Sequence, residues 1–189
     1  IAQEAAPGIK MSLAGNYHKE LVDKIYDYCI AWKQQFTPED LALRNSKGWI
    51  STSYTACPDA MPNVGSNNEP IEATYLPLYC LANGFNGFLR WSWMNWTDNP
   101  MYDSRFKLFT PGDTYIVYPG MHSSRRFEHI IRGTQNVAKI ETLRKEYKQK
   151  RNQNALQLLE DALSQFKKPT PNETELRESI YKIESLLNK

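Results

Sequence analysis

The sequence predicts an α/β fold built on a parallel sheet, because β-prone runs alternate with helical segments, Gly and Pro turn signals separate them, and the last part of the chain turns purely helical. Four strand-like runs separated by helices or long loops give a βαβ rhythm, and four such units amount to half of a (β/α)8 TIM-type barrel. A helical hairpin closes the chain. The expected organisation is a half-barrel over residues 1–150 and a hairpin extension over 151–189.

Residues 1–8, I-A-Q-E-A-A-P-G, read as the last turn of a helix and its exit loop, and Ile1 does not look like a natural start, so a longer protein is expected upstream. Residues 9–14 are the first strand, stopped by Gly15 and Asn16, and residues 25–32, I-Y-D-Y-C-I-A-W, are the second. Thr37, Pro38, Glu39 and Asp40 then supply an N-cap, a first-turn proline and two acids that favour the helix dipole. Gly48 ends that helix.

Residues 49–57 make a third strand, with Ser51, Ser53 and Thr55 on one face and Ile50, Thr52 and Tyr54 on the other. Residues 58–70 are rich in Pro, Gly, Asn and Ser and long enough to be a site loop. A helix over 71–82, closed by Asn83 and Gly84, leads into the central stretch. A short strand is expected over 114–118 and a long helix over 125–150, with Ser123 and Ser124 as N-caps and Ile130, Val137 and Ile140 on its buried face. Two further stripes, Leu156, Leu159, Leu163, Phe166 and Leu176, Ile180, Ile183, Leu187, flank a break at residues 168–172 and form the hairpin.

The central stretch is 84–96, G-F-N-G-F-L-R-W-S-W-M-N-W, which carries Trp91, Trp93 and Trp96 out of 5 tryptophans in the chain. Read as a strand, it puts Leu89, Trp91, Trp93 and Asn95 on one face and Phe88, Arg90, Ser92, Met94 and Trp96 on the other. Arg90 and Asn95 interrupt what should be continuous hydrophobe and need partners. Singly, each tryptophan suits a helix-covered core and Arg90 a buried carboxylate. Together they suit a sugar ring, whose C–H face stacks on aromatics while its hydroxyls take hydrogen bonds. In a barrel, Asn16, Trp32, Tyr54 and the 93–96 segment converge on the mouth at the strands' C-terminal ends.

Composition narrows the classes. A net charge of +2, from 23 basic and 21 acidic residues, is too small to imply a nucleic-acid or anionic-membrane partner, and the basic run over 145–151 continues a helical face. Cys29, Cys57 and Cys80 are too few and scattered for a disulfide framework or a zinc site, so neither metal nor cofactor is expected. The sequence contains no run long enough to insert in a membrane.

The central stretch, followed by D-N-P at 98–100, G-D-T-Y-I-V-Y-P-G at 112–120 and S-S-R-R-F-E at 123–128, resembles the C-terminal part of the domain-of-unknown-function family 4091, which is related to glycoside hydrolase family 123 and its N-acetyl-β-galactosaminidases. The similarity spans about residues 9–147. It implies the C-terminal half of a (β/α)8 barrel, with the N-terminal half of the same protein as partner and a parent that is exported. It also implies a retaining mechanism in which the substrate's own 2-acetamido group attacks the anomeric carbon, served by an adjacent Asp-Glu pair. No Asp-Glu dipeptide occurs here, and the family's acidic positions in the long helix are replaced around 135–137. The resemblance therefore carries over no catalytic residue, only pocket-lining roles for Tyr54, Arg90, Trp91, Trp93 and Trp96, and expects this chain alone to be inactive. The alternatives are a non-catalytic carbohydrate-binding domain and a structural domain with the tryptophans in its core.

Overall fold

The computed structural model of the chain describes residues 2–57, 59 and 61–188, Ala2 and Gln3 by their backbone alone. Ile1 of the expected first turn, and Pro58 and Ala60 of the expected site loop, lie outside the described residues. The elements are α1 (Ala2–Ala5), β1 (Ser12–Gly15), β2 (Asp27–Ala31), α2 (Pro38–Ser46), β3 (Ile50–Tyr54), α3 (Glu72–Ala82), β4 (Gly87–Phe88), α4 (Arg125–Gln149), α5 (Gln153–Ser164) and α6 (Glu173–Leu187). The strands form one sheet in the order β1-β2-β3-β4, and every pairing is parallel.

Local chemistry sets the helix ends. Thr37 Oγ1 accepts from the Asp40 backbone at 3.2 Å and the Asp40 carboxylate accepts from the Thr37 backbone at 3.4 Å, a reciprocal cap that starts α2 ahead of Pro38. Ser124 Oγ accepts from Phe127 N at 3.1 Å to start α4. Two glycines earn their places by contact or conformation. Gly48, at φ 64°, lets the chain leave α2 for β3. At Gly133 a Cβ would stand 2.5 Å from the Thr74 carbonyl, so glycine allows α4 to cross α3 backbone to backbone, beside the in-helix Pro77.

Helix α3 is buried from Glu72 to Cys80 because it lies between the sheet and α4. Glu72 holds the preceding loop, its carboxylate accepting from Asn63 N at 3.0 Å and Glu69 N at 2.8 Å. On the same side of the sheet, Arg44 of α2 has no exposed surface. It donates to Ser51 Oγ at 2.7 Å, to the Val22 and Ile25 carbonyls at 2.8 Å each, and to the carbonyls of Tyr26 and Ile50. One side chain thus ties α2 to β3 and to the turn before β2.

The other face of the sheet is different. The register sets Ser12 beside Asp27 and Ile50, and Ala14 beside Cys29, Thr52 and Gly87. Ser12, Ala14 and Ile50 are exposed and Thr52 and Tyr54 half-buried, whereas Tyr28, Ile30, Ser51 and Ser53 of the helix-covered face are buried.

After α4, helices α5 and α6 pack back on α3 and α4, and Leu159, Leu163, Phe166, Leu176, Ile180 and Ile183 join the same core as β2 and α3. The two expected apolar stripes are therefore the buried faces of two helices. Cys29 and Cys80 are buried free thiols, and burial pushes the Cys29 thiol up to about 11. No described helix is long and apolar enough to cross a membrane.

The tryptophan stretch departs from the expected strand. Only Gly87 and Phe88 pair with β3; Leu89 N still donates to the Ser53 carbonyl at 2.9 Å, and then the chain leaves the sheet. Its later backbone groups turn to residues 114–117 instead: Asn95 N donates to the Thr114 carbonyl at 3.1 Å and Ile116 N to the Trp93 carbonyl at 3.0 Å. Residues 114–118 make two isolated antiparallel bridges, Met94 with Tyr115 and Tyr118 with His122, rather than the strand expected there.

Candidate functional site

Parallel strands with their helical connections open their loops at one end of the sheet, and the cleft of interest lies at that end. Ala14 of β1, Tyr54 of β3, Leu89 and Trp91 beyond β4, and Phe109 and Asp113 of the following loop line a space of about 310 Å³. The register explains the convergence, since Tyr54 stands on the same face as Ile50 and Thr52, and Leu89 follows the residue paired with Ser53.

Trp91 is 36% exposed, and its ring stacks on Phe109 with centroids 5.2 Å apart and planes 27° from parallel. Its indole nitrogen donates to Asp113 Oδ2 at 3.2 Å. Burial, with Cys29 and Asp59 nearby, raises the Tyr54 phenol above its ordinary pKa, so at neutral pH it is an uncharged donor and acceptor. An aromatic wall facing a neutral phenol across an apolar floor can hold a pyranose ring by stacking and a hydroxyl by hydrogen bonding. Among the described residues no group of His, Cys, Asp and Glu could hold a metal ion.

The five residues expected to line the pocket do not share one place. Tyr54 and Trp91 meet in the cleft. Arg90 is buried at 4% exposure behind it, with its Nη2 on the Asp113 carbonyl and, at 2.8 Å, on Asp113 Oδ1. Trp93 lies in a second cleft of about 430 Å³ beside β4, α3 and α4, with its ring edge-on to Phe127 at 5.9 Å. Trp96 is half-exposed and donates to the Val117 carbonyl at 2.8 Å. Strand alternation put Trp91 and Trp93 on one face; the chain's exit from the sheet after Leu89 separates them.

Sequence reasoning missed Phe109 and Asp113. Asp113 stood in the G-D-T-Y motif, but nothing in its spacing said that it faces Arg90. Phe109 sits in a turn, F-K-L-F, closed by its own contact with Phe106, and no strand or helix period marks it.

The sequence profile of the glycoside hydrolase 123 catalytic domain matches residues 1–143. The chain belongs to that family. Among solved structures, a family 123 glycoside hydrolase from Clostridium perfringens, studied for glycolipid glycan hydrolysis, superposes with a TM-score of 0.78 at 24% identity, over 95% of this chain. That likeness is one of fold, and this chain spans 34% of the clostridial chain's length. No curated protein matches the sequence. The family 123 domain therefore supplies a mixed α/β scaffold with a parallel sheet, on which the aromatic cleft sits.

Proposed function

We propose that this chain is the sugar-gripping, C-terminal half of a (β/α)8 barrel in a glycoside hydrolase that acts on N-acetylated hexosaminides, in the manner of a β-N-acetylgalactosaminidase. The observation that carries the reading is the aromatic cleft of Tyr54, Trp91 and Phe109 at the C-terminal ends of parallel strands in a family 123 domain. Four parallel strands in sequential order are half the number such a barrel needs, and β1 and β4 stand at the two ends of the sheet with an exposed inner face between them. The cleft of Gly87, Phe88, Trp93, Ile130 and Val137 gives the next strand a place to lie against β4. The partner this reading requires is the N-terminal half of the same protein. Residues 1–150 are then the half-barrel and residues 151–189 a helical hairpin that braces it.

In the proposed reaction the substrate's 2-acetamido oxygen attacks the anomeric carbon while a general acid protonates the departing glycosidic oxygen, and water then opens the cyclic intermediate with net retention. The Asp that orients the acetamido group and the Glu that donates the proton come from outside this chain, which holds no Asp-Glu dipeptide. Trp91 with Phe109 and Tyr54 hold the sugar; Trp93 lines the second cleft, where the neighbouring half meets this one.

The test is hydrolysis of a chromogenic N-acetyl-β-galactosaminide, and then of a glycolipid carrying the same terminal sugar, by the full-length gene product and by this 189-residue chain. Cleavage by the full-length protein alone is expected. A full-length protein that binds N-acetylgalactosamine but leaves both substrates intact would replace the enzyme reading with that of a carbohydrate-binding domain.

A further inference from the structure

Arg90 spends a buried charge in an unusual way. Its side chain has no exposed surface, and its Nε and Nη1 make no hydrogen bond among the described residues, so every hydrogen bond it forms runs through Nη2 to Asp113. A buried guanidinium is unfavourable unless its partner is well fixed, so a single-partner arrangement implies that the partner's position matters. Asp113 is itself 1% exposed, and its second carboxylate oxygen takes the Trp91 indole N–H at 3.2 Å. The guanidinium carbon also lies 5.7 Å from the Trp91 ring centroid, while Phe109 stacks on that ring at 5.2 Å.

We infer that Arg90 and Asp113 are a positioning pair for the candidate sugar site: Arg90 orients the Asp113 carboxylate, and the carboxylate fixes the Trp91 indole as a wall of the cleft. Arg90 does not touch the ligand in this arrangement. The inference rests on Trp91 being a sugar-facing wall, but the hydrogen-bonded chain from Arg90 through Asp113 to Trp91 can be tested apart from that reading.

A carboxylate can face two donors at once, whereas the amide of Asp113→Asn offers one acceptor oxygen and must turn its NH₂ toward either Arg90 or Trp91. Charge-assisted hydrogen bonds of this kind are worth roughly tenfold in an equilibrium. Trp91→Phe keeps an aromatic wall, with less surface, and removes the indole donor, so the effect of Asp113→Asn is compared within each background.

The experiment uses the 189-residue chain with ¹⁵N-labelled tryptophans, read by the indole N–H resonances and by titration with N-acetylgalactosamine. Asp113→Asn and Arg90→Lys are expected to move the Trp91 indole resonance and speed its exchange with solvent, while those of Trp32 and Trp49 stay in place and report an intact fold. Asp113→Asn is expected to weaken sugar binding roughly tenfold in the parent chain and less than about twofold in the Trp91→Phe background. An unmoved Trp91 resonance in Asp113→Asn, or an equal loss of binding in both backgrounds, overturns the positioning role. A chain whose Trp91 resonance moves as expected, but in which Trp91→Ala binds N-acetylgalactosamine as the parent does, keeps the positioning pair and discards the sugar-facing reading of Trp91.

Discussion

The indole nitrogen of Trp32, just past β2, donates to the carbonyl of Pro169 at 2.8 Å, across 137 residues of chain. Beside it Tyr75 donates to the Lys168 carbonyl at 2.9 Å, and the Phe166 ring packs 4.9 Å from that of Tyr75. The break between α5 and α6 is thus sewn to the sheet and to α3. Removing residues 151–189 would uncover the Tyr75 side of α3, so a chain ending at residue 150 is expected to aggregate or to lose its cooperative thermal transition. A soluble 1–150 fragment that melts like the parent would show instead that the C-terminal helices are dispensable. Phe166→Ala, a milder probe, is expected to cost ~3–5 kcal/mol in urea unfolding.

The close crossing of α3 and α4 makes Gly133 intolerant of even a methyl group. Gly133→Ala places a Cβ 2.5 Å from a backbone oxygen and 3.1 Å from the Pro77 ring, so the helices must move apart. The expected cost is ~1–3 kcal/mol in denaturant unfolding. Gly15→Ala, where an added Cβ meets nothing within 4 Å, serves as the control and is expected to stay within ~0.5 kcal/mol of the parent.

Arg44 serves five acceptors from a site with no exposed surface. Arg44→Met removes all five donors at once and leaves four carbonyls buried or half-buried without that partner, a loss of ~3–5 kcal/mol. Arg44→Lys keeps the charge but not the planar fork, and so is expected to recover less than half of that loss by the same measurement.

Acid should weaken the fold through Asp40. Burial pushes this carboxyl up, but hydrogen bonds from Lys19, Tyr17 and the Thr37 backbone together overcome it and leave the pKa below its ordinary value of 3.8. The same contact, added to burial, pushes the Tyr17 phenol up to about 12. A depressed carboxyl contributes stability that is present above its unfolded pKa of about 3.9 and is lost as the pH falls through the folded value. Glu184 has the same sign, its burial outweighed by Arg132 and Asn136. Unfolding free energy is therefore expected to drop from about pH 4 downward, and more shallowly in Asp40→Asn; an unchanged acid slope in that variant would assign the loss elsewhere.

Much of the scaffold could be read from the sequence because local signals and burial agree there. The N-caps Thr37 and Ser124 stand where they were expected, and α3, α4, β2 and β3 fall within a few residues of their predicted bounds. The tryptophan stretch could not be read that way. Its alternation suited a long strand, but the strand ends at Phe88 because residues 114–117 claim the backbone of Trp93 and Asn95. That competition joins segments some twenty residues apart and leaves no trace in either one's periodicity. The same limit hid Asp113: a buried carboxylate was one of two readings for Arg90, the other being a place in the pocket lining, and the choice between them depended on the fold of the 97–113 loop.

The row of the sheet formed by Ala14, Cys29, Thr52 and Gly87 contains only small side chains. On the same face Ser12 and Asp27 add little bulk, whereas Ile50 and Tyr54 of β3 rise on either side of the row. The row is consequently a trough in the sheet, and its Ala14 end opens into the cleft walled by Tyr54, Leu89, Trp91 and Phe109. Small residues there set the depth of the cleft from below: a larger side chain at Ala14 would fill space that the aromatic walls now leave open.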